Sequence, residues 1–137
     1  MIDLIAQAIT SLQLESSSYS EGVQTWMKVM GFSFLASLLF VRNKVAARWI
    51  LAALVLNILG LISGKILFPG ESRTMIGTYV HLVFWPPILC AVWRTCRHHS
   101  LSQHFQTRFD GFHTVWLIWA CSLMAISLVF DARTLIV

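Results

Sequence analysis

Lys65, His81 and Asp131 are the side chains of this sequence best placed to do chemistry. Each is ionisable, and each lies near one end of a long apolar segment. If the segments alternate in direction across a bilayer, the three ends share a side. Ionisable groups at membrane depth are expensive and lean towards function, an argument that weakens near helix ends, where long side chains snorkel to water. An acid, an imidazole and an amine in one layer, with Lys28 not far away, would make an ion-pair lid or an outward-facing site for a small ion or polar molecule. His81 has further polar company: Thr78 precedes it by one helical turn, Trp85 follows by one, and Pro86 and Pro87 come directly after. Neither proline donates an N–H, so the carbonyls of Leu82 and Val83 lose their usual partners and a kink is expected. A structural role accounts for the same residues: a buried histidine bonded to Thr78 or to a neighbouring helix, with the prolines fixing a packing angle.

Other reactive side chains carry less. His98, His99 and His104 cluster with Arg94, Arg97 and Arg108, but adjacent histidines cannot face one way on a helix and the spacings match no common metal motif. A solvated basic loop explains them. Cys90, Cys96 and Cys121 form no CxxC pair and read as small packing residues. A haem between helices needs two facing histidines at compatible depth; only His81 lies well inside an apolar segment, and His113 belongs to the opposite face. No nucleophile–base pair, carboxylate dyad or phosphate-cradling glycine loop is visible. The sequence therefore predicts no catalytic residues, no cofactor and no metal, and leans away from an enzyme.

The elements that must position these residues are membrane helices. Of 137 residues, 57% are hydrophobic and 12% charged, with a mean hydropathy of +0.72, a balance that does not fit a soluble domain of this size. Four apolar runs, at 22–41, 46–68, 77–97 and 112–130, are each long enough to cross a hydrocarbon core ~30 Å thick. The expected fold is all-α: an integral membrane four-helix bundle over 22–137, preceded by an N-terminal unit over 1–21. In that unit Ile2, Ile5, Ile9 and Leu12 recur at helical spacing, which predicts a short amphipathic helix at the membrane surface or against the bundle, and a serine-rich connector follows. In the second run Ala53, Asn57, Gly60 and Gly64 share one face suited to close helix packing, within the bundle or between subunits. At the end of the last run Arg133 is placed to pair with Asp131.

Lys and Arg set the expected orientation. Arg42, Lys44, Arg48, Arg94, Arg97 and Arg108 fall in the first and third loops, against Lys65, Arg73 and Arg133 on the other side. The positive-inside rule then places both termini outside. The net charge of +4 is a loop property and not a nucleic-acid signal.

The stretches His81-Leu82-Val83-Phe84-Trp85-Pro86-Pro87 and Ser127-Leu128-Val129-Phe130-Asp131 resemble a group of small, uncharacterised bacterial inner-membrane proteins. The resemblance covers mainly the last two runs. It implies a four-span bacterial membrane protein and transfers no activity. Three functions follow in order of preference. The first is a structural or interaction protein in the lipid bilayer, as an accessory subunit or a homo-oligomer. The second is a small oligomeric transporter or channel using the His81/Lys65/Asp131 layer. The third is a membrane enzyme or redox protein.

Overall fold

The computed structural model describes residues 1–100 and 103–137. Helices α1 (Ile2–Ser17), α2 (Glu21–Leu35), α3 (Val45–Leu67), α4 (Arg73–Cys96) and α5 (Arg108–Ile136) follow one another, with 3₁₀ turns at Ala36–Leu39 and Gln103–Phe105. No strand occurs among the described residues. Helices α3, α4 and α5 are long and apolar enough to cross a membrane.

Local chemistry sets the helix ends. The Ser72 hydroxyl accepts the Met75 N–H at 3.3 Å, so α4 starts four residues before the expected Gly77. Thr107 and Asp110 form a reciprocal capping box, which starts α5 at Arg108 rather than Phe112. Helix α4 continues through Pro86 and Pro87 to Cys96.

The apolar run at 22–41 is not one α-helix. Its ladder tightens into a 3₁₀ turn after Leu35. The Trp116 indole N–H donates to the Ser33 carbonyl at 2.7 Å, the acceptor that a continuing α-helix would offer to Ser37. The Ser33 hydroxyl donates back to the Val29 carbonyl at 2.7 Å and accepts the Trp119 indole N–H at 2.9 Å. Two indoles from α5 thus hold the end of α2, Trp116 on the Ser33 carbonyl and Trp119 on its hydroxyl. Neither effect is visible in local propensity.

The core lies between α3, α4 and α5. Ile50 and Ala53 of α3, Trp85 and Ile88 of α4, and Ala120 and Met124 of α5 are buried there, joined by Phe34 from α2. Phe34 meets the Trp85 ring edge-on, with centroids 5.7 Å apart. The small-residue face of α3 is used inside this bundle. A Cβ on Gly60 would come within 2.7 Å of Val80 Cγ2, and one on Gly64 would press on Ile76 Cγ2. The GxxxG pair therefore seats α4 on α3. Helix α1 docks through buried Ala8 and Leu12 and leaves Ile2, Leu4 and Ile9 exposed.

Gly64→Ala is expected to cost roughly 1–3 kcal/mol, the usual penalty for overpacking. Gly22→Ala should be neutral or slightly stabilising, because a Cβ there meets nothing within 4 Å. Unfolding of both variants in mixed micelles checks the pair; equal stability would contradict the close packing of α3 on α4.

Candidate functional site

Asp131 lies in the last turns of α5, and both of its oxygens are used. His81 Nδ1 is 2.7 Å from Oδ2, and the Thr78 hydroxyl donates to Oδ1 at 3.1 Å. Thr78 and His81 are neighbours on one face of α4, as their spacing predicts. The imidazole also stacks on Trp85, with ring centroids 3.8 Å apart and planes 26° from parallel. Trp85 is completely buried, so the ring that orients His81 is itself fixed by the core. A carboxylate has no proton to donate, so the proton between Nδ1 and Oδ2 belongs to the imidazole. Nε2 then makes no hydrogen bond among the described residues. The expected Asp131–Arg133 pair does not form; Asp131 turns inward to α4 instead.

Lys65 does not join this layer. Its ammonium pairs with Glu15 of α1 and donates to the Glu71 carbonyl at 2.8 Å. Glu15 also accepts the Arg73 backbone N–H at 2.6 Å, and the Arg73 guanidinium donates to the Leu12 carbonyl at 3.3 Å. Lys65 is thereby a clamp that holds α1 over the loop between α3 and α4. Burial alone would raise the Glu15 carboxyl. The Lys65 hydrogen bond, the Arg73 N–H and the Lys65 charge outweigh that and hold it below its ordinary value of 4.5.

A cavity of about 500 Å³ opens beside His81 and Asp131. It reaches from Tyr19 and Arg73 at the rim to Phe34 and Leu54 halfway down the bundle. Helix α2 forms one wall with Trp26, Met27 and Met30; α4 and α5 form the other. That wall is held to α5 by a short chain: the Trp26 indole donates to the Ser127 hydroxyl at 3.2 Å, and that hydroxyl faces Met30 Sδ at 3.2 Å. Asn57, predicted to pack or to bond across helices, lines the cavity from α3, and its Oδ1 is buried with no partner among the described residues. The size suits a small organic molecule.

The opposite end has its own pairing, between Lys44 and Asp110. His113 packs against Phe40 and Trp116 there, with its Nε2 buried and unpartnered among the described residues. His99 and His104 approach each other with centroids 5.7 Å apart. Among the described residues no three His, Cys, Asp or Glu side chains gather as a metal site.

Sequence reasoning named His81 and Asp131 and missed Glu15, Arg73 and Trp26. Glu15 sits in a polar serine-rich stretch, where nothing in the spacing marks it as the partner of a lysine fifty positions away. Trp26 and Met30 share a helix face with Val23, a weak signal that reads equally as lipid contact. Comparison with known proteins gave no match to any family model, curated protein or solved structure.

Two outcomes follow. Because the folded Glu15 carboxyl is held low, its contribution is complete above about pH 4.5 and is lost as pH falls through the lower folded value. A nitroxide at Gln7 should therefore become more mobile under acid in the wild type, and should already be mobile at neutral pH in Glu15→Gln. A double-mutant cycle of His81→Phe and Asp131→Asn should give a coupling of roughly 0.5–3 kcal/mol in unfolding free energy; additive losses would show that the pair is not an interacting unit.

Proposed function

We propose that this chain is a four-span integral membrane protein that binds a small, largely apolar molecule in the half of the bundle carrying His81 and Asp131. Its role is that of a binding or accessory subunit rather than a catalyst. The observation that carries this reading is the 500 Å³ cavity walled by α2 and bordered by the His81–Asp131 pair.

Four spans are favoured over three by length. Fifteen residues of α2 and four of the 3₁₀ turn together reach about 30 Å, the thickness of a hydrocarbon core. Leu35 and Ala36 keep right-handed helical dihedrals across the junction, so the rod continues. With four spans the basic first and third loops share one side, and the positive-inside rule makes it cytoplasmic, with both termini outside. In a bacterium the corresponding membrane is the inner one.

A binding site suits the geometry better than a channel, because Phe34 lines the cavity at mid-bundle and is itself packed edge-on against the buried Trp85. It also suits it better than self-association through the GxxxG face, because Gly60 and Gly64 are already covered by Val80 and Ile76. Oligomers that leave this face inside each bundle are compatible with the reading.

The cavity can be filled without rebuilding the fold, since a Cβ on Gly31 meets nothing within 4 Å. A small molecule co-purifying from native membranes should be lost in Gly31→Phe and retained in Gly31→Ala, as read by native mass spectrometry. Retention in Gly31→Phe would refute the site. Cysteine labelling in a cysteine-free background tests topology: Ser18 and Glu71 should react from one side, Asn43 and Gln103 from the other. Asn43 and Gln103 on opposite sides would remove the four-span arrangement.

A further inference from the structure

We propose that the molecule held in this cavity is a neutral amphiphile with a hydrogen-bond-donating hydroxyl on an apolar body, such as an alkylphenol or quinol-like ring, and that His81 Nε2 accepts the hydrogen bond from that hydroxyl. The proposal rests on the pocket reading above and adds the chemical class of the ligand.

The donor requirement comes from how the polar wall is used up. Asp131 already accepts from both His81 and Thr78. The Thr78 hydroxyl is spent on Oδ1, and the Trp26 indole N–H is spent on Ser127. Beside the Asp131 carboxylate, what remains is the acceptor on the His81 ring; the unspent donors of the lining, on Asn57, Arg73 and one hydroxyl of the Tyr19–Thr74 pair, belong to other parts of the wall. With Nδ1–H committed to the carboxylate, a neutral imidazole offers Nε2 as a lone pair. A ligand that donates satisfies it, whereas one that only accepts leaves it unpaired.

Neutrality comes from charge. Arg73, which would favour an anion, and Asp131, which would favour a cation, line the same cavity with opposite charges, so neither sign of ligand is favoured throughout it. An apolar body comes from the rest of the lining, where Trp26, Met27, Met30 and Phe34 present aromatic and thioether surface. Such side chains accept a flat ring without demanding further polar partners.

The test compares ligands that differ only in the donor. Protein in nanodiscs is photolabelled with an alkylphenol carrying a diazirine in its chain, and adducts are mapped by mass spectrometry. Competition is then measured with 4-hexylphenol, 4-hexylanisole and 4-hexylbenzoate, each expressed as its mole fraction in the lipid. The expected result is saturable labelling of α2 at Met27 or Met30, competed by the phenol at roughly tenfold lower mole fraction than by its methyl ether, the ratio expected for one buried hydrogen bond left unmade. In His81→Phe, checked for folding by gel filtration, the two competitors should become equal. Saturable labelling with equal potency of phenol and anisole in the wild type overturns the donor assignment and leaves the pocket standing. Stronger competition by the benzoate overturns neutrality. Absence of saturable labelling on α2 overturns the pocket reading, and this inference with it.

Discussion

Both oxygens of Asp131 must be satisfied, and that requirement organises one end of the molecule. A carboxylate beside apolar helices is tolerable only with its hydrogen bonds made. Thr78 and His81 make them, from one face of α4. The bond fixes the depth of α5 against α4 and the tautomer of the imidazole together. Trp85 then fixes the ring plane from below, because it is packed in the core and stacks on His81. The polar pair and the apolar core are therefore one construction, in which the core supplies the platform and the pair locks the register.

The bundle divides at Phe34. On the side of Lys44 and Asp110, side chains from α3, α4 and α5 interdigitate, and the small residues Ala46, Ala53 and Ala120 let the helices approach closely. On the side of His81 and Asp131, α2 stands away from α4, held to α5 by one indole–hydroxyl bond and further along by two indoles on Ser33. A wall held by a few directed bonds over soft side chains can move with little loss of packing. The cavity sits behind it. Helix α1 closes the same end from outside through the Glu15–Lys65 pair and the Arg73 contacts.

Much of this was legible in the sequence. Of the four long apolar runs, three are long α-helices, and of the Ala53-Asn57-Gly60-Gly64 face Gly60 and Gly64 meet α4 closely while Asn57 lines the cavity. The proximity of His81 and Asp131 follows from their similar depth at the ends of adjacent antiparallel helices. Lys65 shows where that reasoning stops. Depth alone placed it with His81, but rotation about the α3 axis turns it towards α1, and Glu15 captures it. Arg133 is also placed by sequence to pair with Asp131, but the part-buried His81 across the bundle takes the carboxylate, since an exposed pair contributes little. The interruption of α2 was illegible for a similar reason, since the indole that bonds the Ser33 carbonyl beside it belongs to Trp116, eighty-three positions away.

The most direct measurement is the nitrogen-15 spectrum of His81 in lipid nanodiscs, assigned by comparison with His81→Phe and followed under conditions where the ring is neutral. The pairing with Asp131 predicts a protonated Nδ1 and a bare Nε2, with that preference weakened in Asp131→Asn. A wild-type His81 protonated at Nε2 and bare at Nδ1 would contradict the account, because Asp131 would then have no imidazole donor and the cavity would face an N–H instead of a lone pair.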